Sequence, residues 1–189
     1  GTVYALSSAA VNSTSNNASA GTSNITGTFS HTRSGLSPET QYYYAAYVTN
    51  AAGTALSSIG NFYTLSAAPA AQAAAFTATA VSFSQINLSF SAASTISNAD
   101  GYLVLKNYGA APSGLPSVAT AYSLGSIIGG DTVIAVINST STTSFSVTGL
   151  TPNANYYFTL IPFNSDAVNN ATYNYNTTSP ASANRSEEH

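Results

Sequence analysis

The 189-residue chain contains no Cys, no Met and no Trp, and only 5% of its residues are charged. An ordinary soluble domain carries roughly 25% charged residues. The absence of Cys excludes a disulfide framework, a thiol nucleophile and a thiolate metal site. Arg33, Lys106 and Arg185 are the only basic residues. So few cations cannot line a phosphate backbone, which excludes nucleic acid as a partner. The polybasic signal for anionic lipid is missing too. No apolar run approaches the roughly 18 residues of a membrane span, so no membrane insertion is expected of this segment.

Titratable chemistry is equally sparse. His31 is the only internal histidine, and no Gly-x-Ser-x-Gly elbow accompanies the many serines. No catalytic residue, cofactor or metal is therefore expected. Asn98 with Asp100, and Asp166 with Asn169 and Asn170, are the nearest approach to an oxygen-ligand cluster. They lack the dense Asp spacing of a calcium loop and read as turns, which Asn and Asp form for local backbone reasons.

What is present is Ser, Thr, Asn and Ala around a hydrophobic fraction of 44%. Such a chain can build an apolar core, while its surface is hydrated through hydroxyls and amides. A surface with so little charge associates readily.

One phrase occurs twice. Gly35-Leu36-Ser37-Pro38 leads into Tyr42-Tyr43-Tyr44, and Gly149-Leu150-Thr151-Pro152 leads into Tyr156-Tyr157-Phe158. The copies lie 114 positions apart (150 minus 36). A turn repeated at domain spacing marks a tandem array of small β-domains.

Period-two alternation recurs along the chain and no long stretch has a 3.6 period. Strands are expected at 2–6, 28–31, 42–49 and 59–65, with Tyr42, Tyr44, Ala46 and Val48 on one inward face. Further strands are expected at 75–79, 85–90, 102–106, 132–138, 144–147 and 156–163, with 172–178 closing a sandwich. The small residues Ser66-Ala67-Ala68-Pro69-Ala70-Ala71 read as a linker. The expected organisation is one unit at 1–66 lacking its first two strands, a linker at 67–71, a complete unit at 72–185 and the start of another linker at 186–189. The fold class is all-β, as tandem sandwiches, the first incomplete at its N-terminus.

These residues resemble fibronectin type III-like domains, especially those of large secreted and surface proteins of the Bacteroidetes. The likeness rests on the two Gly-Leu-x-Pro-x-x-x-Tyr turns, on Asn50-Ala51-Ala52-Gly53, on residues 80–90 and on Asp100-Gly101-Tyr102-Leu103-Val104. The resemblance implies an immunoglobulin-like β-sandwich in which Tyr42 and Tyr156 form tyrosine corners on the turn backbone near Leu36 and Leu150. Phe90 stands where such domains often carry Trp. The resemblance also implies export, location outside the cell or on its surface, and service as spacer, adhesin stalk or accessory module of an enzyme. Asp131-Thr132-Val133 is similar to the O-glycosylation motif of the Bacteroidetes, which makes Thr132 a candidate modification site.

Tyr43 and Tyr47 alternate with the inward set and are expected on the outer face of their sheet. Tyr157 and Phe163 hold related positions in the second unit, with Tyr173 and Tyr175 on a neighbouring strand. Outward aromatics stack on sugar rings, form a protein contact, or stabilise the sheet as cross-strand pairs. Spacing alone leaves these three open.

The expected function is therefore non-catalytic: a structural or adhesive repeat segment, acting as stalk or self-association module. The alternative is a carbohydrate-binding or spacer module of a secreted hydrolase. Expected partners are neighbouring domains of the same polypeptide, further copies in a homo-oligomer or filament, and surface glycans. An unfinished first sandwich would offer a sheet edge to a strand from another molecule.

Overall fold

The computed structural model describes residues 1–19, 27–92, 99–139 and 141–186. Asn98 and residues 187–189, which enter the readings above, lie outside them. The chain forms two compact units, Gly1–Thr64 and Leu65–His189.

The first unit is one antiparallel sheet: β1 (Thr2–Ala5), β2 (Gln41–Asn50), β3 (Gly53–Leu56) and β4 (Gly60–Tyr63). β2 is central, flanked by β1 on one side and by β3 and β4 on the other. The β2–β3 hairpin turns because the Asn50 side chain accepts the Ala52 N–H at 2.9 Å and Gly53 adopts φ +134°. On one face Val3, Ala5 and Ala45 pack with Val11 into a small core, and Tyr43 and Tyr47 lie half-buried against it. Residues 28–31, expected as a strand, have no strand pairing. A second correction concerns the face of β2. The residues expected inward include Tyr44 and Val48, which are 47% and 66% exposed. Alternation defines two faces without saying which is covered, and here the segment carrying Val11 covers the Tyr43–Tyr47 side.

The second unit begins with β5 (Ala74–Ser82), β6 (Gln85–Ser91), β7 (Gly101–Tyr108) and β8 (Ile127–Ile128). It continues with β9 (Asp131–Ile137), β10 (Ser144–Val147), β11 (Asn155–Asn164), β12 (Asn174–Tyr175) and β13 (Ala181–Ser186). One sheet has the order β10-β6-β5; the other runs β12-β11-β7-β9-β8, with β13 also paired to β11. Between the sheets lies a core of Ile86, Leu88, Phe90, Tyr102, Val104, Tyr156, Phe158 and Leu160. Phe90 stacks edge-on against Tyr102 at 4.8 Å, filling the position expected of a larger aromatic. Leu103 and Leu105 point the other way and are as deeply buried as Tyr102 and Val104. The central sheet is thus covered on both faces. The closing strand is β13 rather than 172–178, where a 3-10 turn and the two-residue β12 replace the expected strand.

The expected linker belongs to the second unit. Ser66 N–H donates to the Thr172 carbonyl at 2.8 Å. Asn164, Asn174 and Asn176 donate their side-chain amides to the carbonyls of Ala67, Ser66 and Pro69, each at 2.8 Å. Small residues with one Pro read as a free spacer, because the groups that fix this backbone come from side chains about a hundred positions away.

Candidate functional site

The Gly-Leu-x-Pro turn builds the same local device in each unit. Tyr42 Oη accepts the Ser37 N–H at 3.0 Å, and Tyr156 Oη accepts the Thr151 N–H at 2.9 Å. Both rings are buried. Gly35 and Gly149 take φ of +72° and +70°, which suits glycine at the head of the turn. In the second unit Lys106 extends over the Tyr156 ring, its Nζ 5.3 Å from the centroid.

Two of the six aromatics expected on outer faces are buried in the second unit. Phe163 and Tyr175 are 2% and 5% exposed, and Tyr173 is packed against them. With Leu103, Leu105, Ile128, Val133 and Ile161 they make a second core. Tyr43 and Tyr47 are half-buried in the first unit, and Tyr157 is half-buried on β11.

The residues between β7 and β9 account for the difference in the second unit. Ala119 N–H donates to the Tyr173 carbonyl at 2.9 Å, Tyr175 Oη donates to the Thr120 carbonyl at 2.8 Å, and Tyr122 packs edge-on against Tyr175. Tyr122 Oη in turn accepts the Ser117 N–H at 2.9 Å. Burial pushes the Tyr175 phenol well above its usual range, and the neighbouring Tyr173 and Tyr122 add to that shift.

The anchor of this insertion is Asp131, which is fully buried. Its carboxylate accepts the Asn107 side-chain amide, the Ser113 N–H at 2.8 Å and the Gly114 N–H at 2.6 Å. Gly114 sits so close that an added Cβ would lie 3.0 Å from Asp131 Oδ2 and inside contact distance of the Ile128 backbone. Thr132 follows Asp131 in β9, half-buried and paired with Lys106 on one side and Ile127 on the other. The Asp of the proposed modification motif is thus a structural group, and its Thr lies within a sheet.

Asp166 closes a loop on itself. Burial acts to raise its pKa. The N–H groups of Asn169 and Val168, then the Asn169 amide and the Thr172 hydroxyl, outweigh that effect and hold it at about 2. Asp100 Oδ2 accepts the Ser165 N–H at 3.0 Å. Both acids cap turns, and among the described residues no group of three or more His, Asp or Glu is placed to hold a metal ion.

Sequence reasoning overlooked a cleft of about 470 Å³ in the first unit, on the open face of its sheet. Thr2, Tyr4, His31, Arg33, Tyr44, Asn61 and Phe62 are in its wall. Arg33 Nη2 donates to the Thr2 carbonyl at 2.7 Å and to its hydroxyl at 2.6 Å, and the guanidinium lies 5.3 Å over the Tyr4 ring. His31 Nδ1 is hydrogen-bonded to the same hydroxyl at 2.8 Å. Phe62 stacks on Tyr42 at 5.8 Å, and Gly60 leaves room for the Tyr44 ring, which a Cβ there would meet at 2.7 Å. Positions 29 and 31, read only as part of a short strand at 28–31, were the available signal.

Compared with protein families, the chain matches none, and no curated protein matches it either. Solved structures do. The FN1–FN3 domains of chicken CNTN1 match at a TM-score of 0.50 and 18% identity, over 84% of this chain and 44% of that one. This chain thus spans less than half of that segment. Domains d3–d4 of the rat CD45 extracellular region match at a TM-score of 0.40 and 18% identity, over 90% and 76%. A two-domain fibronectin type III segment of chicken tenascin gives 0.38 and 14%, over 80% and 67%. The fold is that of fibronectin type III-like β-sandwiches in tandem.

Proposed function

We propose that this chain is a non-catalytic structural repeat segment of an extracellular or cell-surface protein, serving as stalk or self-association module. One observation carries the reading: the tyrosine-corner turn is built twice, and the residue types that usually do chemistry are used for packing. Asp131, Asp166 and Asp100 each hold backbone N–H groups, and Phe163 and Tyr175 sit in a core. The near-neutral surface supports close association with neighbouring repeats.

The test is mechanical. Tethered at both ends and pulled, the chain should resist until the second unit opens cooperatively. Its 125 residues (65–189) then release about 400 Å of contour, at ~3.3 Å per extended residue. A segment that extends without a discrete opening event has no stalk function. The carbohydrate-binding alternative loses its outward platform in the second unit. Saturable glycan binding abolished by Tyr43→Ala or Tyr157→Ala would restore it against the structural reading.

A further inference from the structure

The segment that leads into β5 is fastened mainly through side chains. Residues 66–72 lie along residues 172–178, and one bond between them joins backbone to backbone, from the Ser66 N–H to the Thr172 carbonyl. The rest are side-chain bonds. Asn164, Asn174 and Asn176 hold the carbonyls of Ala67, Ser66 and Pro69. Gln72 Nε2 donates in return to the carbonyls of Asn176 and Thr178, each at 2.9 Å.

The asparagines are hooks fixed independently of what they hold. Asn164 ends β11 and pairs with Asn174 of β12. Asn164 Oδ1 accepts the Asp100 N–H at 2.9 Å, and Asn176 Oδ1 accepts the Thr178 N–H at 3.0 Å. Each amide is thereby turned with its N–H₂ toward residues 66–72. The Asn176 N–H also donates to the Pro162 carbonyl of β11 at 3.0 Å.

What the hooks hold is less firmly seated than the strand that follows. β5 is tied to β6 by a backbone ladder, and Ala73 already sits in the core. Ala67, Ala68 and Ala70 are exposed, so carbonyls that leave the hooks meet water at once. Ser66 Oγ and Gln72 Oε1 are buried without a partner among the described residues, and release hydrates them. Tension carried along the chain from the first unit enters at Leu65 and reaches these bonds before any ladder of the second unit.

We infer that residues 65–72 form a tension-released strap. Under load the strap leaves its asparagine hooks as a discrete first step, and the chain ahead of β5 lengthens while the sandwich behind it stays closed. When the load falls, the hooks are still in place and the strap returns. This rests on the reading of the chain as a structural repeat that bears load, and names the part that yields first.

The chain has no Cys, so introduced cysteines are unique handles. The full chain is held at constant force between Leu65→Cys and Asn184→Cys, and in a second variant between Ala74→Cys and Asn184→Cys. From residue 65, a reversible step of up to about 26 Å should precede opening of the sandwich, at ~3.3 Å for each residue of 65–72. From residue 74 that step should be missing. Asn174→Ala/Asn176→Ala should shorten the lifetime of the strapped state about tenfold at a given force and leave the later opening unchanged. Without force, amide exchange at Ser66 in that variant should quicken about tenfold while exchange at Leu88 holds.

The inference is overturned if no step precedes opening from residue 65, or if the step survives with the handle at residue 74. It is also overturned if the asparagine substitutions leave the step and Ser66 exchange unchanged. Cooperative opening without the early step refutes the strap alone. An early step with no discrete opening after it upholds the strap and refutes the stalk.

Discussion

Replacing Asp131 by Ala removes one buried carboxylate and releases three donors: the Asn107 amide and the N–H groups of Ser113 and Gly114. Hydrogen bonds to a charged group contribute about 1.5–3 kcal/mol each, and a buried donor left unpaired costs about 1–3 kcal/mol. Asn107 can turn to solvent and Ser113 is only partly enclosed, so the three do not sum. The expected loss is about 3–5 kcal/mol, a large share of the ~5–15 kcal/mol that holds a domain together. Asp131→Asn keeps the volume but turns an amide N–H₂ toward a donor, and should cost about 2 kcal/mol.

The assay is guanidinium unfolding followed by circular dichroism, together with amide exchange at Ser113, Gly114 and Ala119. Exchange should accelerate across the insertion before the sandwich core responds, because the carboxylate ties residues 113–114 to β9 while the core lies on the other face of β7. A loss below about 1 kcal/mol, with exchange at Ser113 and Gly114 unchanged, would refute the assignment of Asp131 as anchor.

Other outcomes follow from the same geometry. Tyr156→Phe deletes only the acceptor of the Thr151 N–H and should cost about 1 kcal/mol, read from the unfolding midpoint. Stabilisation of the variant would deny the corner any role. Tyr175 has its phenol pKa raised by burial, so the folded state favours the neutral ring. Its contribution is complete below the unfolded value near 10 and is lost as pH rises above that. Ultraviolet titration should therefore show one tyrosine that ionises only with unfolding, and Tyr175→Phe should delete that late step. Asp166 has the opposite sign. Its folded pKa of about 2 lies below the ordinary aspartate value of 3.8, so its contribution is present above 3.8 and fades as pH falls toward 2. Thermal midpoints of Asp166→Asn should show a shallower acid slope than the parent over that window. Gly114→Ala should loosen the insertion much as Asp131→Ala does, since its Cβ has no space beside the Ile128 carbonyl.

Much of the architecture could be read before any coordinates. The resemblance carried by the two Gly-Leu-x-Pro turns pointed to both tyrosine corners, whose hydrogen bond spans only five residues within one short phrase. The alternation of Ile86, Leu88 and Phe90 likewise reported a half-buried strand correctly. The aromatic platform failed for a reason of range. Tyr175 is covered by Thr120 and Tyr122, and Phe163 packs against Tyr173 and Tyr175, contacts that the residues around each aromatic in sequence do not record. Ser66–Ala71 looked unattached on the same account, since its partners are Asn164, Asn174 and Asn176.

By itself, then, the sequence determined the all-β class, the tandem repeat, the corner turns and the shortage of catalytic groups. Each follows from local periodicity, from turn chemistry within a few residues, or from composition. Tertiary structure alone decided which face of each sheet is buried, made Asp131 the anchor of residues 113 and 114, and left Tyr44, Phe62 and Arg33 around an open cleft. A strand of period two presents two equivalent faces, and only the segments that fold back over it choose between them.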